Sequence, residues 1–519
     1  MSTGTVPSKP EREPACTYFG WQQDRVAFLF GLSGQRATLI AVAVLAAIWP
    51  LAVARLAEGL LFWPLAAVLA VAAFARIAGR TADEWLAAAV SYSLLRLRDQ
   101  HKFASGAFAP AASADPAAPT PMDLPGILAP VRILAARTAQ GGPLAIVHHR
   151  YDRTYTAVAQ VRFPGIGLAD SARRDQRVAG WGGLLAGLCT EGNPIIRVQV
   201  LQRILPESGT ALRRWHTDHR VPGAPPAAME ITQSLLETAT LATCQREAFL
   251  AFVMDERRAG AAIRGAGGGS TGAAAVLARH LRALNNAIGT AELQVQGWLS
   301  PRDLAEVIRT AFDPHAIRPL AERRAAATHH PGHQPGLAPG VDPALAGPAA
   351  AEARPGSYVH DGAVSATYWV HDWPRSQVYA TALAPLLGEG WHRRSFSLHL
   401  EPLGPRVAQR DVMRERTARD VAVRMRQRTG QLVPEHERAA LDRARAQDAE
   451  RAAGHGLVRF TAYVTVTVTD AGRLEDACAA LEADAAAARI ELRRMWLAQD
   501  VGFAMSALPL GFGLPRKRW

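Results

Sequence analysis

The sequence predicts an α+β protein: an N-terminal two-helix transmembrane hairpin followed by two cytoplasmic α+β domains, ferredoxin-like or split-sheet in form. Two nearly unbroken apolar runs, Ala37–Val53 and Gly59–Ala75, predict the hairpin, with Arg55 and Glu58 between them. Alternating strand and helix patterns over the remaining chain predict the domains. A hydrophobic content of 49% over 519 residues supplies enough apolar side chains to fill their cores.

Each apolar run is roughly 17 residues, at the short end of what crosses a bilayer core. A helix suits that medium because it satisfies its own backbone hydrogen bonds. Arg25 and Arg36 precede the hairpin, and Arg76, Arg80, Arg96, Arg98 and Lys102 follow it. The bias of cations toward the cytoplasmic side then predicts an inner-membrane protein with both termini in the cytoplasm. Trp49, Phe62 and Trp63 fall at the outer end, where amphipathic rings favour the interface. A cleaved signal peptide fits less well, because residues 1–36 precede the first run and a second follows at once.

The formal charge is +12, carried by arginine; the lysines are Lys9, Lys102 and Lys517. These cations are interspersed with acids, so direct nucleic-acid contact is not expected, while the juxtamembrane arginines suit anionic lipid. Cys16, Cys189, Cys244 and Cys478 show no CxxC spacing. That excludes the pattern of a disulfide framework or zinc site and fits a reducing cytoplasm.

In chain order, residues 1–36 form a polar, then amphipathic lead-in, and 37–76 the hairpin. Residues 77–103 form a juxtamembrane helix, with Trp85, Ala88, Ala89, Tyr92 and Leu95 at helical spacing. Residues 104–125, rich in Ala, Pro and Ser, form a linker. The first α+β domain, 126–324, contains strands at Leu144–His149, Thr154–Phe163, Ile195–Leu205, Glu247–Met254 and Glu292–Leu299. Its helices are Ser171–Cys189, with Ser171 as N-cap, then Ala227–Ala242, Ala273–Ile288 and Pro301–Phe312. Residues 325–362 are a Pro/Gly/His-rich linker or loop. The second domain, 363–519, carries strands at Val364–His371, Arg393–Glu401, Leu457–Thr469 and Ile490–Ala498. Its helices are Gln377–Leu387 and Gly472–Ala488, with a charged helical insert at Val407–Gln427 and Pro434–Ala453.

No pattern carries catalysis. The glycine-rich run Gly265–Gly272 lacks the lysine of a phosphate loop and the glycine spacing of a dinucleotide fold, so it reads as a loop capped by Ser270. His329, His330 and His333 lie in a Pro/Gly-rich stretch with only Asp342 as an acidic neighbour. His148 and His149 point to opposite faces of a strand and so do not ligate together. Asp411, Arg414, Glu415 and Arg419 form a solvated helix face. No serine, cysteine or threonine stands in a nucleophile elbow. The expectation is therefore no enzyme, with no catalytic, cofactor-binding or metal residue and no cofactor.

Several blocks resemble a known family. Trp21-x-x-Asp-Arg-Val-Ala-Phe-Leu-Phe-Gly-Leu-Ser-Gly34 resembles the lead-in of actinobacterial PrgI-like, SCO-type conjugal transfer membrane proteins. Phe163–Leu168, Gln245–Phe249 and Gly511–Arg516 resemble further segments of that family. Gln499–Leu510 resembles the segment that closes the N-terminal, non-ATPase region of TraC/VirB-type conjugation ATPases. The resemblance implies a scaffold subunit of a type IV secretion-like DNA-transfer apparatus. It would dock a cytoplasmic translocation ATPase to the membrane channel, with channel subunits as further partners and a homo-oligomer compatible. No nucleotide-binding domain follows in the 519 residues, so ATP hydrolysis does not carry over. Two other readings stand beside it: an EccE-like core subunit of a type VII secretion system, and a membrane-bound enzyme with an unrecognised site.

Overall fold

A computed structural model describes residues 34–53, 57, 59–74, 76–77, 80–106, 122–138, 141–163, 165, 169–206, 210–221, 223–239, 244–329, 339–374, 376–388, 392–430 and 432–513. The lead-in block Trp21–Ser33, most of the 104–125 linker, and His330 and His333 lie outside the described residues.

The two apolar runs form helices α1 (Gly34–Ala52) and α2 (Gly59–Phe74). The expected transmembrane hairpin, and the membrane assignment resting on it, are corrected here: among the described residues no helix is long and apolar enough to cross a membrane. The 16 residues of α2 reach only about 24 Å at about 1.5 Å per residue, short of a hydrocarbon core of about 30 Å. The first turn of α1 is spent on Gly34, Gln35 and Arg36, and Pro50 lies near its end. The helices pack through small residues. Ala43, Gly59 and Ala66 are buried between them, and Trp63 Nε1 donates to the Ala47 carbonyl at 3.3 Å. The large side chains point outward: Leu60 is 85% exposed, Leu61 73% and Leu45 67%.

A small ribbon of β1 (Arg76–Ile77) and β2 (Arg80–Thr81) leads into α3 (Ala82–Leu97). The chain then enters a single antiparallel sheet of 13 strands through β3 (Lys102–Ala104). The first half of the sheet comprises β4 (Val131–Arg137), β5 (Pro143–His149), β6 (Thr154–Arg162), β7 (Ile195–Pro206), β8 (Cys244–Asp255) and β9 (Gln294–Trp298). Its helices are α4 (Ser171–Leu188), α5 (Thr210–Asp218), α6 (Pro226–Ala239), α7 (Gly260–Gly265), α8 (Gly269–Thr290), α9 (Pro301–Phe312) and α10 (Ile317–His329). The second half comprises β10 (Ala350–Ala353), β11 (Tyr358–His360), β12 (Ala363–Asp372), β13 (Arg393–Leu403), β14 (Leu457–Val468) and β15 (Glu491–Arg494). Its helices are α11 (Ala384–Leu387), α12 (Pro405–Arg428), α13 (Glu435–Ala452), α14 (Leu474–Ala487) and α15 (Gln499–Ala507).

The halves repeat one another. In the first, β6 lies between β9 and β8, and β7 flanks β8. In the second, β12 lies between β15 and β14, and β13 flanks β14. This is the strand order of a split β-α-β unit, with a helical pair inserted between its second and third strands. Each half is preceded by a two-strand extension, β4–β5 or β10–β11. The outer strands β7 and β13 pair and make the sheet continuous.

The strand registers fix the relation between the halves. The Val158 carbonyl accepts from Leu299 N–H, and the Thr367 carbonyl from Met495 N–H, so these positions correspond. Val158 pairs with Ala251 and through it with Gln199; Thr367 pairs with Thr465 and through it with Ser395. Gln199 therefore matches Ser395, and Leu201 matches Ser397. Leu201 and Ser397 are themselves cross-strand partners, so a pseudo-twofold axis runs through that pair. By the same register Arg197 matches Arg393, Arg203 matches His399, and Leu205 matches Glu401.

One face of the sheet carries α4 and α8 over the first half and α14 over the second, on Val, Leu, Ile and Phe side chains. On the other face α9, α15 and the segment 508–513 cover a core that includes Leu201, Phe249, Phe312, Tyr463 and Phe503.

Several local expectations change. Asp170, not Ser171, caps α4, its Oδ1 accepting from Arg173 N–H at 2.8 Å. Ser270 sits inside α8, whose N-cap is Gly268 at φ +73°, a conformation favouring glycine. The 325–362 stretch contains the end of α10 and strands β10 and β11; β10 is Ala-Ala-Glu-Ala, with no β-branched residue to signal a strand, and β11 is only three residues long. The helix expected over Gln377–Leu387 is confined to Ala384–Leu387.

Candidate functional site

Polar side chains gather at the centre of the sheet, on the face beneath α9 and α15. Alternation along β7 and β13 places Arg197, Gln199 and Arg203 beside Arg393, Ser395, Ser397 and His399, all buried. Buried polar groups must find partners, and here the backbone of the covering segments supplies most of them. Gln199 Nε2 donates to Ser397 Oγ at 2.8 Å and to the Leu508 carbonyl at 2.9 Å, while its Oε1 accepts from Gly511 N–H at 2.7 Å. His399 Nε2 donates to the Met505 carbonyl at 2.9 Å. Arg197 is held by Glu401 at 2.6 Å and donates through Nη1 to the Gly511 carbonyl at 3.0 Å.

The two covering segments cross between halves. The segment after α15 belongs to the second half and lies on the first, with Phe512 edge-on to His149. The segment ending α9 belongs to the first half and reaches the second. There the Phe312 carbonyl accepts from His360 Nδ1 at 2.5 Å, and the Thr310 carbonyl accepts from Arg393 Nη2. The carbonyl on Nδ1 sets the neutral tautomer of His360, whose Nε2 accepts from Ser365 Oγ at 2.8 Å. Burial lowers the pKa of His360 to about 4 and that of His399 to about 3, with Arg393 and Arg197 respectively adding to the effect.

Beside this clasp lies a cleft of about 380 Å³, floored by β6, β7, β8 and β9 and walled by α9 and α10. The α9 wall is set by a capping box. Ser300 Oγ accepts from Asp303 N–H at 3.2 Å, and Asp303 Oδ2 accepts from Ser300 N–H at 3.3 Å. Asp303 and Glu306 both hold Arg324, at 3.0 and 2.7 Å. Burial works against the charged form of Arg324, yet the two carboxylates outweigh it and raise its pKa. Arg203 pairs with Glu247 at 2.5 Å and donates through Nη1 to the Val307 carbonyl at 2.8 Å. Gln160, Gln245 and Gln296, one from each of β6, β8 and β9, line the floor with no protein partner for their amides among the described residues. Each carboxylate of the cleft is engaged by a guanidinium, an arrangement suited to binding by hydrogen bonds and charge rather than to proton transfer.

The features singled out in the sequence lie apart from this region. Gly265–Gly272 forms the α7–α8 junction, where a Cβ on Gly272 would stand 2.6 Å from the Ile263 carbonyl oxygen. His148 stacks on Tyr155, while His149 meets Asp152 at 3.2 Å. Asp411 pairs with Arg459 and Glu415 with Arg419 on α12. Gln499, in the block resembling conjugation ATPases, is a structural clamp: its Oε1 accepts from Thr367 N–H at 2.8 Å and its Nε2 donates to the Met495 carbonyl at 3.0 Å. Sequence reading missed Arg197, Arg203 and Arg393. The signal for Arg197 and Arg203 was charge within β-branched, largely apolar runs, Ile-Ile-Arg-Val and Gln-Arg-Ile-Leu, whereas Arg393 lies in His-Arg-Arg-Ser-Phe and carries no such signal. No family model matches the chain, and comparison with curated proteins returns no match.

Proposed function

We propose that this protein is a non-catalytic scaffold subunit of a conjugative, type IV secretion-like DNA-transfer apparatus, docking a translocation ATPase to channel subunits. The observation that carries a docking role is the α1–α2 hairpin, turned inside out: small residues face each other and Leu45, Leu60, Leu61, Val68 and Val71 face outward. An exposed apolar surface of this kind marks an interaction site on a soluble body. Helices of a channel subunit would cover it, and the chain would reach the inner membrane through them. The conjugative assignment rests on the resemblance of Trp21–Gly34, Gln245–Phe249 and Gln499–Leu510 to conjugation proteins. The engagement of every cleft carboxylate by arginine supports a non-catalytic role.

Affinity purification of the full chain from its native host tests this. A translocation ATPase and a channel subunit should co-purify. Removing residues 34–74 should abolish capture of the channel subunit while the body keeps its melting temperature. Recovery of the chain without any translocation ATPase would refute the reading.

A further inference from the structure

The sheet ends at β3 on one side and at β4 on the other. The internal repeat matches β4 with β10: through β5 and β11, Val131 corresponds to Ala351 and Ile133 to Ala353. In the second half β3 covers this edge, pairing Phe103 with Ala351, and Ala353 N–H donates to the His101 carbonyl at 2.8 Å. In the first half no strand does so among the described residues. Ala145 N–H donates to the Leu299 carbonyl, away from β4, so the backbone groups of its cross-strand partner Ala135 face outward. Alternation turns Ile133 and Arg137 the same way, and the outward N–H groups have no partner among the described residues. Arg132 Nη1 caps the Ala129 and Val131 carbonyls at 3.0 and 2.8 Å, which leaves the edge open from Ile133 onward. β4 is seven residues long with a regular register and no proline, so it lacks the bulge or proline that commonly keeps a sheet edge from pairing.

We propose that β4 is a docking edge for an extended segment of a partner protein, apolar in its middle and acidic at its ends, which adds to the sheet as a further antiparallel strand. In such pairing the backbone supplies the hydrogen bonds and alternate side chains supply the selectivity. Ile133, Leu134, Ala135 and Ala136 present apolar neighbours on both faces, while Arg132 and Arg137 stand at the two ends with no carboxylate partner among the described residues. Opposite charges across a strand pair are favourable and like charges unfavourable. A second copy of β4 would bring two more arginines and no acid to the seam. Two stretches of this chain outside the described residues fit no better: 107–121 contains Pro110, Pro116, Pro119 and Pro121, and 514–519 contains Arg516, Lys517 and Arg518. This edge is a surface other than the α1–α2 hairpin, and the inference does not depend on the conjugative assignment.

The probe is a capped, fluorescent peptide, Thr-Glu-Val-Ile-Val-Thr-Glu-Thr, whose glutamates match the spacing of Arg132 and Arg137. Titrated into the full chain, it should bind and slow hydrogen exchange at the Ile133 and Ala135 amides. The same peptide with lysine in place of glutamate should bind about tenfold more weakly. Ala135→Pro removes an outward N–H and leaves the ladder to β5 intact, so it should keep the melting temperature and weaken binding about tenfold. Arg137→Glu, which leaves the backbone untouched, should weaken binding of the glutamate peptide and strengthen that of the lysine peptide; it decides the matter if the proline variant does not fold. Four results would each overturn the proposal: unchanged exchange at β4, equal binding of the two peptides by wild type and by Arg137→Glu, undiminished binding to a folded Ala135→Pro, or β4 amides already protected in a concentration-dependent dimer, which would place a second copy there.

Discussion

At the scale of single residues, a polar layer is buried where alternation alone would place it in solvent. Along Arg393–Leu403 the residues Phe396, Leu398 and Leu400 alternate with Ser395, Ser397, His399 and Glu401. Read from the sequence, that is a strand with one dry face and one wet face. The strand was therefore legible and the fate of its polar face was not, because the covering segment 508–513 arrives from more than a hundred residues away. Two consequences are measurable. Glu401→Gln leaves Arg197 uncompensated and should cost about 2 kcal/mol in chemical denaturation, below the loss for a fully buried pair because Glu401 remains partly exposed. His360 and His399, with pKa values lowered to about 4 and about 3, stay neutral in the fold while the unfolded chain takes up protons below about pH 6.5. Their stabilising contribution is complete above that pH and is lost as pH falls toward the folded values. Between pH 7 and pH 5 the pair should remove roughly 3–4 kcal/mol of stability, measured as denaturant midpoints across pH.

At the scale of elements, long and strongly patterned segments were readable. The helix expected at Pro301–Phe312 has those bounds in the structure, because a capping serine, a proline at its start and an apolar stripe all agree. The hairpin was misjudged because each apolar run was already at the short end of a membrane span: α2 has only 16 residues, and α1 begins with Gly34, Gln35 and Arg36. Weakly patterned pieces such as β10 and β11 were not visible at all, since sheet neighbours rather than their own side chains define them. The capping box gives a direct test: Ser300→Ala should destabilise the protein by about 1 kcal/mol. It should also increase hydrogen exchange in the first turn of α9, which walls the cleft.

At the scale of the molecule, two copies of one strand order join edge to edge through β7 and β13, and each sends its last covering segment onto the other. Nothing in the sequence marks this duplication, because among the equivalences Arg197–Arg393, Gln199–Ser395, Leu201–Ser397, Arg203–His399 and Leu205–Glu401 only the first keeps its residue type. They preserve a position in a sheet, which composition does not record. The halves should therefore behave as one cooperative unit. A chain cut between residues 330 and 338 should keep both fragments together on size exclusion and unfold in a single transition. Separation of the fragments under native conditions would show that the crossing segments contribute little.

The reciprocal crossing also bears on how the chain is made. The first half meets its final cover only when Gly511 has left the ribosome, some three hundred positions after β7. At about 5–20 residues per second, the open polar groove around Gln199 stands uncovered for roughly 15–60 seconds. A nascent chain in that condition is a natural client for a chaperone, and a stop codon just before Leu508 would leave a product without the cover over Gln199 and Arg197.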